Sequence, residues 1–153
     1  MAPVPSSEEF DMSTIETREL PSGELSGISG DALATIGRAA IAAIFILSGI
    51  AKISDTAGTL GYIASVGLPL APIALGAAIL IEVLGGVLLT AGYRPRLVAG
   101  ILAVFSLVTA FAFHADLGEQ NQFIHFFKNV ALAGGLMQII AFGGGKYAVH
   151  CSR

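Results

Sequence analysis

Polar residues crowd the start of the chain and are then confined to short interruptions between four apolar stretches: Ala32 to Ile53, Leu68 to Ala91, Leu97 to Phe113 and Phe126 to Phe142. Each approaches the length a helix needs to cross about 30 Å of hydrocarbon, so the pattern predicts an all-α integral membrane four-helix bundle. The last two reach that length only if their polar flanks enter the headgroup region. Asp31 is placed to cap the first helix, Asp55 to Pro69 reads as a loop, and Gly92-Tyr93-Arg94-Pro95-Arg96 reads as a tight turn. The third connection runs from His114 through Asp116, Glu119, Gln120, Asn121 and Gln122 towards Lys128. Tyr62 and Tyr93 suit the membrane interface. Small residues at Ala39 and Ala43, Ser48-Gly49, Gly85-Gly86 and Gly134-Gly135 predict close approach of helix backbones.

Composition agrees with a membrane chain: 54% of residues are hydrophobic and 12% charged, with a mean hydropathy of +0.79. Soluble domains carry roughly 25% charged residues. The net charge of -3 conceals a division, because seven of the eleven acids precede Ala32, and from there on seven Lys or Arg outnumber four Asp or Glu. The chain therefore divides into a disordered acidic tail (residues 1–30), a four-span domain (31–145) and a short basic tail (146–153). The acidic tail lacks the basic start and short apolar core of a signal peptide. Arg94, Arg96, Lys146 and Arg153 lie on the side of the termini, whereas Lys52 and Lys128 flank the opposite loops. Retention of positive charge inside predicts cytoplasmic termini and a His114 loop outside the cytoplasmic membrane.

Glu82 is the one charge within the second apolar run. An ionised carboxylate at that depth costs on the order of 3 kcal/mol, so it needs a partner or a function. A helix beginning near Ala71 carries Glu82 roughly 16 Å down, close to the midplane. Ser48 and Lys52 share a face one turn apart, Phe111 and His114 end the third helix, and Lys128-Asn129 begin the fourth. Lys52, His114, Lys128 and Asn129 thus converge above Glu82 as a polar pocket if their faces point inward. The competing reading has the lysines snorkelling to headgroups and His114 merely ending a helix. Glu82 itself is either functional or half of a structural pair with Lys52, Lys128 or Arg38. Arg38 can reach lipid phosphates or a neighbouring helix.

His125 and its neighbours Phe123, Phe126 and Phe127 read as interface anchors on the approach to the fourth helix, with a redox ring as the alternative occupant. His114, Asp116, Glu119 and His125 offer metal donors, but their spacing matches no established metal site and a solvated loop accounts for them. The single cysteine, Cys151, excludes an internal disulfide. No phosphate loop, dinucleotide fingerprint or nucleophile elbow is present, and nucleic-acid binding is not expected.

Gly37-Arg38, SGIAK at Ser48 to Lys52, IEVLGG at Ile81 to Gly86, Arg96, Phe113-His114 and FFKNVALAGG at Phe126 to Gly135 follow one another in an order that resembles the DoxX family of small four-helix bacterial membrane proteins. The resemblance covers roughly residues 31–145. It implies an inner-membrane protein, with some relatives acting as partners of membrane redox systems: thiosulfate-to-quinone electron transfer in one branch, association with a sulfurtransferase and a superoxide dismutase in another. Carried across, Lys52, Glu82, His114, Lys128 and Asn129 are the polar members of the matching motifs.

Three readings follow. In the first, the bundle is a quinone-linked redox accessory: Glu82 and His114 handle protons, Lys52, Lys128 and Asn129 bind the ligand, and a cytoplasmic redox protein delivers electrons. Nothing in the chain holds an electron by itself, which leaves its status as an enzyme open. In the second it is a non-catalytic scaffold for an oxidoreductase or oxidative-stress complex, recruiting through the acidic tail. The third, a small proton-coupled carrier, would need a homo-oligomer, because four spans without an internal repeat are few.

Overall fold

The computed structural model describes residues 29–149, which form five helices and, among the described residues, no strand. These are α1 (Gly30–Ser54), α2 (Thr56–Ser65), α3 (Ala71–Ala91), α4 (Pro95–Phe113) and α5 (Gln120–Phe142). Four of them, all but α2, are long and apolar enough to cross a membrane. The all-α, four-span architecture predicted from the apolar runs is therefore the one adopted. Leu47, Leu80, Val104 and Phe111 are each more than half exposed on outward faces, where apolar side chains belong when the solvent is lipid. Residues 1–28 and 150–153, with most of the predicted acidic tail and Cys151, lie outside the described residues.

The helix ends differ from expectation in three places. Ser29 caps α1, its hydroxyl accepting from the Ala32 N–H at 3.3 Å, and Asp31 sits instead in the first turn. Residues 55–69 are not simply a loop: Asp55 ends α1 and then caps α2 by accepting from the Gly58 N–H at 3.0 Å. Gly58 and Gly61 have poor helix propensity and masked this helix, but Ile63 is buried and the Tyr62 hydroxyl donates to the Phe113 carbonyl at 2.9 Å. Finally, α5 begins six residues earlier than the apolar run, at Gln120, capped by the Glu119 carboxylate on the Gln122 N–H at 3.0 Å. The polar flank, with His125 in it, is helical.

α1 packs against α3 and α4 against α5, with α3 and α4 joining the two pairs. A Cβ on Gly49 would stand 2.5 Å from Val83 Cγ2, and one on Gly86 would stand 2.6 Å from Ile46 Cγ1 and 3.1 Å from the Ala42 carbonyl oxygen. Glycine at both positions is what lets α1 and α3 touch. Of the other small-residue candidates, Gly85 faces Leu102 and Gly135 faces Ile41, but Gly134 meets nothing within 4 Å and Ala43 is exposed. Phe45, Leu89, Leu102 and Leu136 fill the core between the pairs.

The end carrying both termini is tied by Arg38, which is 2% exposed. Its guanidinium donates to the Gly144 carbonyl beyond α5 and to the Thr90 carbonyl at the end of α3, the latter at 3.4 Å. Carbonyls at helix C-termini lack intrahelical partners and carry the negative end of the helix dipole, so one cation there holds three helices. Of the two roles open to Arg38 from sequence, the structure gives it the helical neighbours. The Lys146 N–H donates to Asp31 Oδ1 at 3.1 Å and the Val149 N–H to the Ala91 carbonyl at 3.2 Å, fastening the segment after α5. Enlarging Gly86 to Leu should force α1 from α3 and destabilise the fold by about 1–3 kcal/mol, whereas Gly76→Leu on the same helix, whose Cβ meets nothing within 4 Å, should be neutral. Circular-dichroism melts in detergent compare the two.

Candidate functional site

Glu82 is the twelfth of the twenty-one residues of α3 and is 4% exposed. Its side chain faces α1, where Gly49 provides the space: a Cβ there would lie 3.3 Å from Glu82 Cβ. Lys52, one turn further along α1, reaches back so that its Nζ donates to Glu82 Oε1 at 2.8 Å and to the Ser48 hydroxyl at 3.2 Å. Mid-span on α3, the carboxylate is nevertheless level with a residue only five short of the end of α1. This offset lets Lys52 satisfy the acid while staying 25% exposed itself. The other carboxylate oxygen, Oε2, is buried with no hydrogen-bond partner among the described residues.

A second polar group stands where α4 ends and α5 begins. His114 Nδ1 and Gln122 Oε1 are 2.6 Å apart, the His114 ring stacks on that of His125 with centroids separated by 5.0 Å, and Lys128 Nζ lies 3.1 Å from His125 Nδ1. Only a neutral imidazole accepts from an ammonium, so this contact places the His125 proton on Nε2. Lys128 is exposed and makes its contact with His125 rather than with Glu82. Asn129 is half-buried and makes no side-chain hydrogen bond among the described residues. Phe123, Phe126 and Phe127 pack ring against ring next to His125.

Of the residues singled out by depth, only Lys52 meets Glu82; Lys128 and His114 gather instead around His125, and among the described residues Asn129 joins neither group. Sequence reasoning placed His125 among interface aromatics and passed over Gln122. Their positions relative to Lys128, three residues back and six, were the available signal, hidden because the helix was started at Phe126. Asp116 and Glu119 bond locally to backbone: Asp116 Oδ1 accepts from the Gly118 N–H and the Glu119 carboxylate caps α5.

The family model for DoxX matches residues 33–115, from the start of α1 to the turn after α4. The chain belongs to the DoxX family. It is 33% identical over 114 residues to the inner membrane protein YqjF of Escherichia coli strain K12, covering 74% of this chain and 86% of YqjF. It is 32% identical over 129 residues to the inner membrane protein YphA of the same organism, covering 80% of this chain and 91% of YphA. No solved structure matches it. The family match includes Lys52, Glu82 and His114, while Lys128, Asn129 and His125 lie beyond it on α5.

For this DoxX-family bundle, Lys52→Met should strand the buried carboxylate and destabilise the fold by about 3 kcal/mol, whereas Lys52→Met combined with Glu82→Met should restore most of the loss. Thermal midpoints of the two variants in the same detergent test this non-additivity.

Proposed function

We propose that the protein is an inner-membrane accessory of a redox system, contributing an intramembrane carboxylate that exchanges a proton with a small hydrophobic acceptor of the quinone class. The observation that carries the reading is the state of Glu82: one oxygen is held by Lys52 and the other is buried without a partner. An unsatisfied acceptor of this kind is costly, and a proton or a ligand hydroxyl would satisfy it. In this reading Lys52 stabilises the ionised form of Glu82, and Lys128, His125, His114 and Gln122 form the polar route by which a proton reaches water. Electrons come from a partner. The relatives named as inner membrane proteins support the location, and Arg94, Arg96 and Lys146 at the end of the termini support cytoplasmic termini.

A scaffold is the second reading, and a specific observation favours it. Neither the cavity at the start of α4 nor the groove along α4 is lined by Glu82, Lys52 or His114, and the Lys52–Glu82 bond joins α1 to α3 beside the Gly49 and Gly86 contacts. In that case the pair sets helix register and the ligand is a protein.

Quinone extraction from detergent-purified protein separates the two. Under the redox reading the wild type carries quinone above a detergent-matched control, Glu82→Gln loses it several-fold while keeping its melting profile, and infrared difference spectra between acid and alkaline buffer show a protonated carboxyl band that Glu82→Gln lacks. Equal traces of quinone in both, with no such band, would remove it in favour of the scaffold.

A further inference from the structure

The end of the bundle that carries the termini holds a feature independent of Glu82. A half-open cavity of about 490 Å³ lies between the start of α4 and the segment that follows α5. Arg94, Arg96 and Lys146 line it together with Asp31. Asp31 is committed to Lys146, through Nζ at 3.4 Å and the backbone N–H at 3.1 Å, whereas Arg94 and Arg96 have no carboxylate partner among the described residues. Three cations and one acid leave the lining with a charge of +2.

The backbone adds to the same sign. α4 opens at Pro95 with no side-chain cap, and its first residues, Pro95 to Leu97, line the cavity, which puts the positive end of the helix dipole beside it. The opposite wall, Gly143 to Gly145, is held in place from behind by Arg38 on the Gly144 carbonyl and in front by the Asp31–Lys146 contacts. Phe142 lines the cavity and Tyr147 follows Lys146 in the chain, both mostly exposed, and a tyrosine there suits the membrane interface.

The occupant is indicated by what adjoins the cavity. Arg96 and Leu97 also line the foot of an apolar groove of about 640 Å³ that rises along α4 past Gly100 and Val104, with Ile81 of α3 on its other side. A Cβ on Gly100 would meet nothing within 4 Å, so the groove is open there. A cationic cradle that runs into a shallow apolar groove along the outer face of α4 has the two halves of one amphiphile. We propose that this composite site binds an anionic phospholipid, with its phosphate between Arg94, Arg96 and Lys146 and one acyl chain along Gly100 and Val104.

The test is native mass spectrometry of the full chain in detergent, titrated separately with dioleoyl phosphatidylglycerol, dioleoyl phosphatidylcholine and inorganic phosphate. The glycerol lipid should bind roughly tenfold or more tightly than the choline lipid, and Arg94→Gln with Arg96→Gln should weaken it about thirtyfold, given what each basic residue contributes near a membrane surface. Gly100→Leu, which fills the groove from an open position, should weaken phosphatidylglycerol binding and leave the cationic cradle intact. Lys146→Gln, an exposed change, serves if the double variant does not fold, and should also weaken phosphatidylglycerol. Equal binding of the two lipids, or undiminished binding in the arginine or lysine variants, would overturn the proposal. Displacement of the lipid by equimolar inorganic phosphate would reduce the feature to a free-anion site, and an inert Gly100→Leu would remove the acyl chain from the groove; either result also overturns it.

Discussion

The bond between Lys52 and Glu82 is the constraint on which the rest depends. An acid in the middle of α3 is tolerated within a membrane because α1 presents a glycine opposite it and a lysine one turn away, at 2.8 Å. The same glycine brings the two backbones together, so the chemistry and the packing of this pair of helices share their residues. The cost of burying the pair is contained by the partial exposure of Lys52, whose side chain remains 25% exposed while its ammonium donates to Glu82 and Ser48.

The two ends of the bundle use charge differently. At the end of the termini, Arg38 is buried against helix-terminal carbonyls and serves cohesion, while Arg94 and Arg96 stay at the surface and bring the net charge of the lining there to positive. At the opposite end the polar groups are neutral or titratable: His114 and His125 stack, Gln122 and Lys128 cap the stack, and Tyr62 closes the neighbouring corner through Phe113. Among the described residues, the polar side chains of this second end form one hydrogen-bonded and stacked group, Gln122–His114–His125–Lys128.

Apolar run length sufficed to read the four spans, since lipid imposes helices of a set length on any chain that crosses it. It was also enough to single out Glu82 and to name Lys52 among its partners, because a lone acid in an apolar run needs a cation and Lys52 with Ser48 shares one face of α1. The limits have equally physical causes. Polar composition at residues 120–125 hid the first turns of α5, and with them His125 and Gln122. Glycines in residues 56–65 hid α2, whose stability comes from Ile63 and Tyr62 packing on neighbours distant in sequence. Close approach of helices could be read as a tendency of small residues, but which of them touch depended on the rotation of each helix: Gly49 and Gly86 do between α1 and α3 and Gly135 does between α5 and α1, while Gly134 does not. Helix stagger, which put Glu82 mid-span on one helix and near the end of its neighbour, has no signature in a single strand of letters.

The most direct measurement is the dipolar coupling between a ¹⁵N label at Lys52 Nζ and a ¹³C label at the Glu82 carboxyl, recorded by solid-state NMR on the full chain in phospholipid bilayers. A strong coupling, as required by a 2.8 Å contact between Nζ and Oε1, is the predicted result. A folded spectrum in which the two labels show no coupling would contradict the account at its foundation.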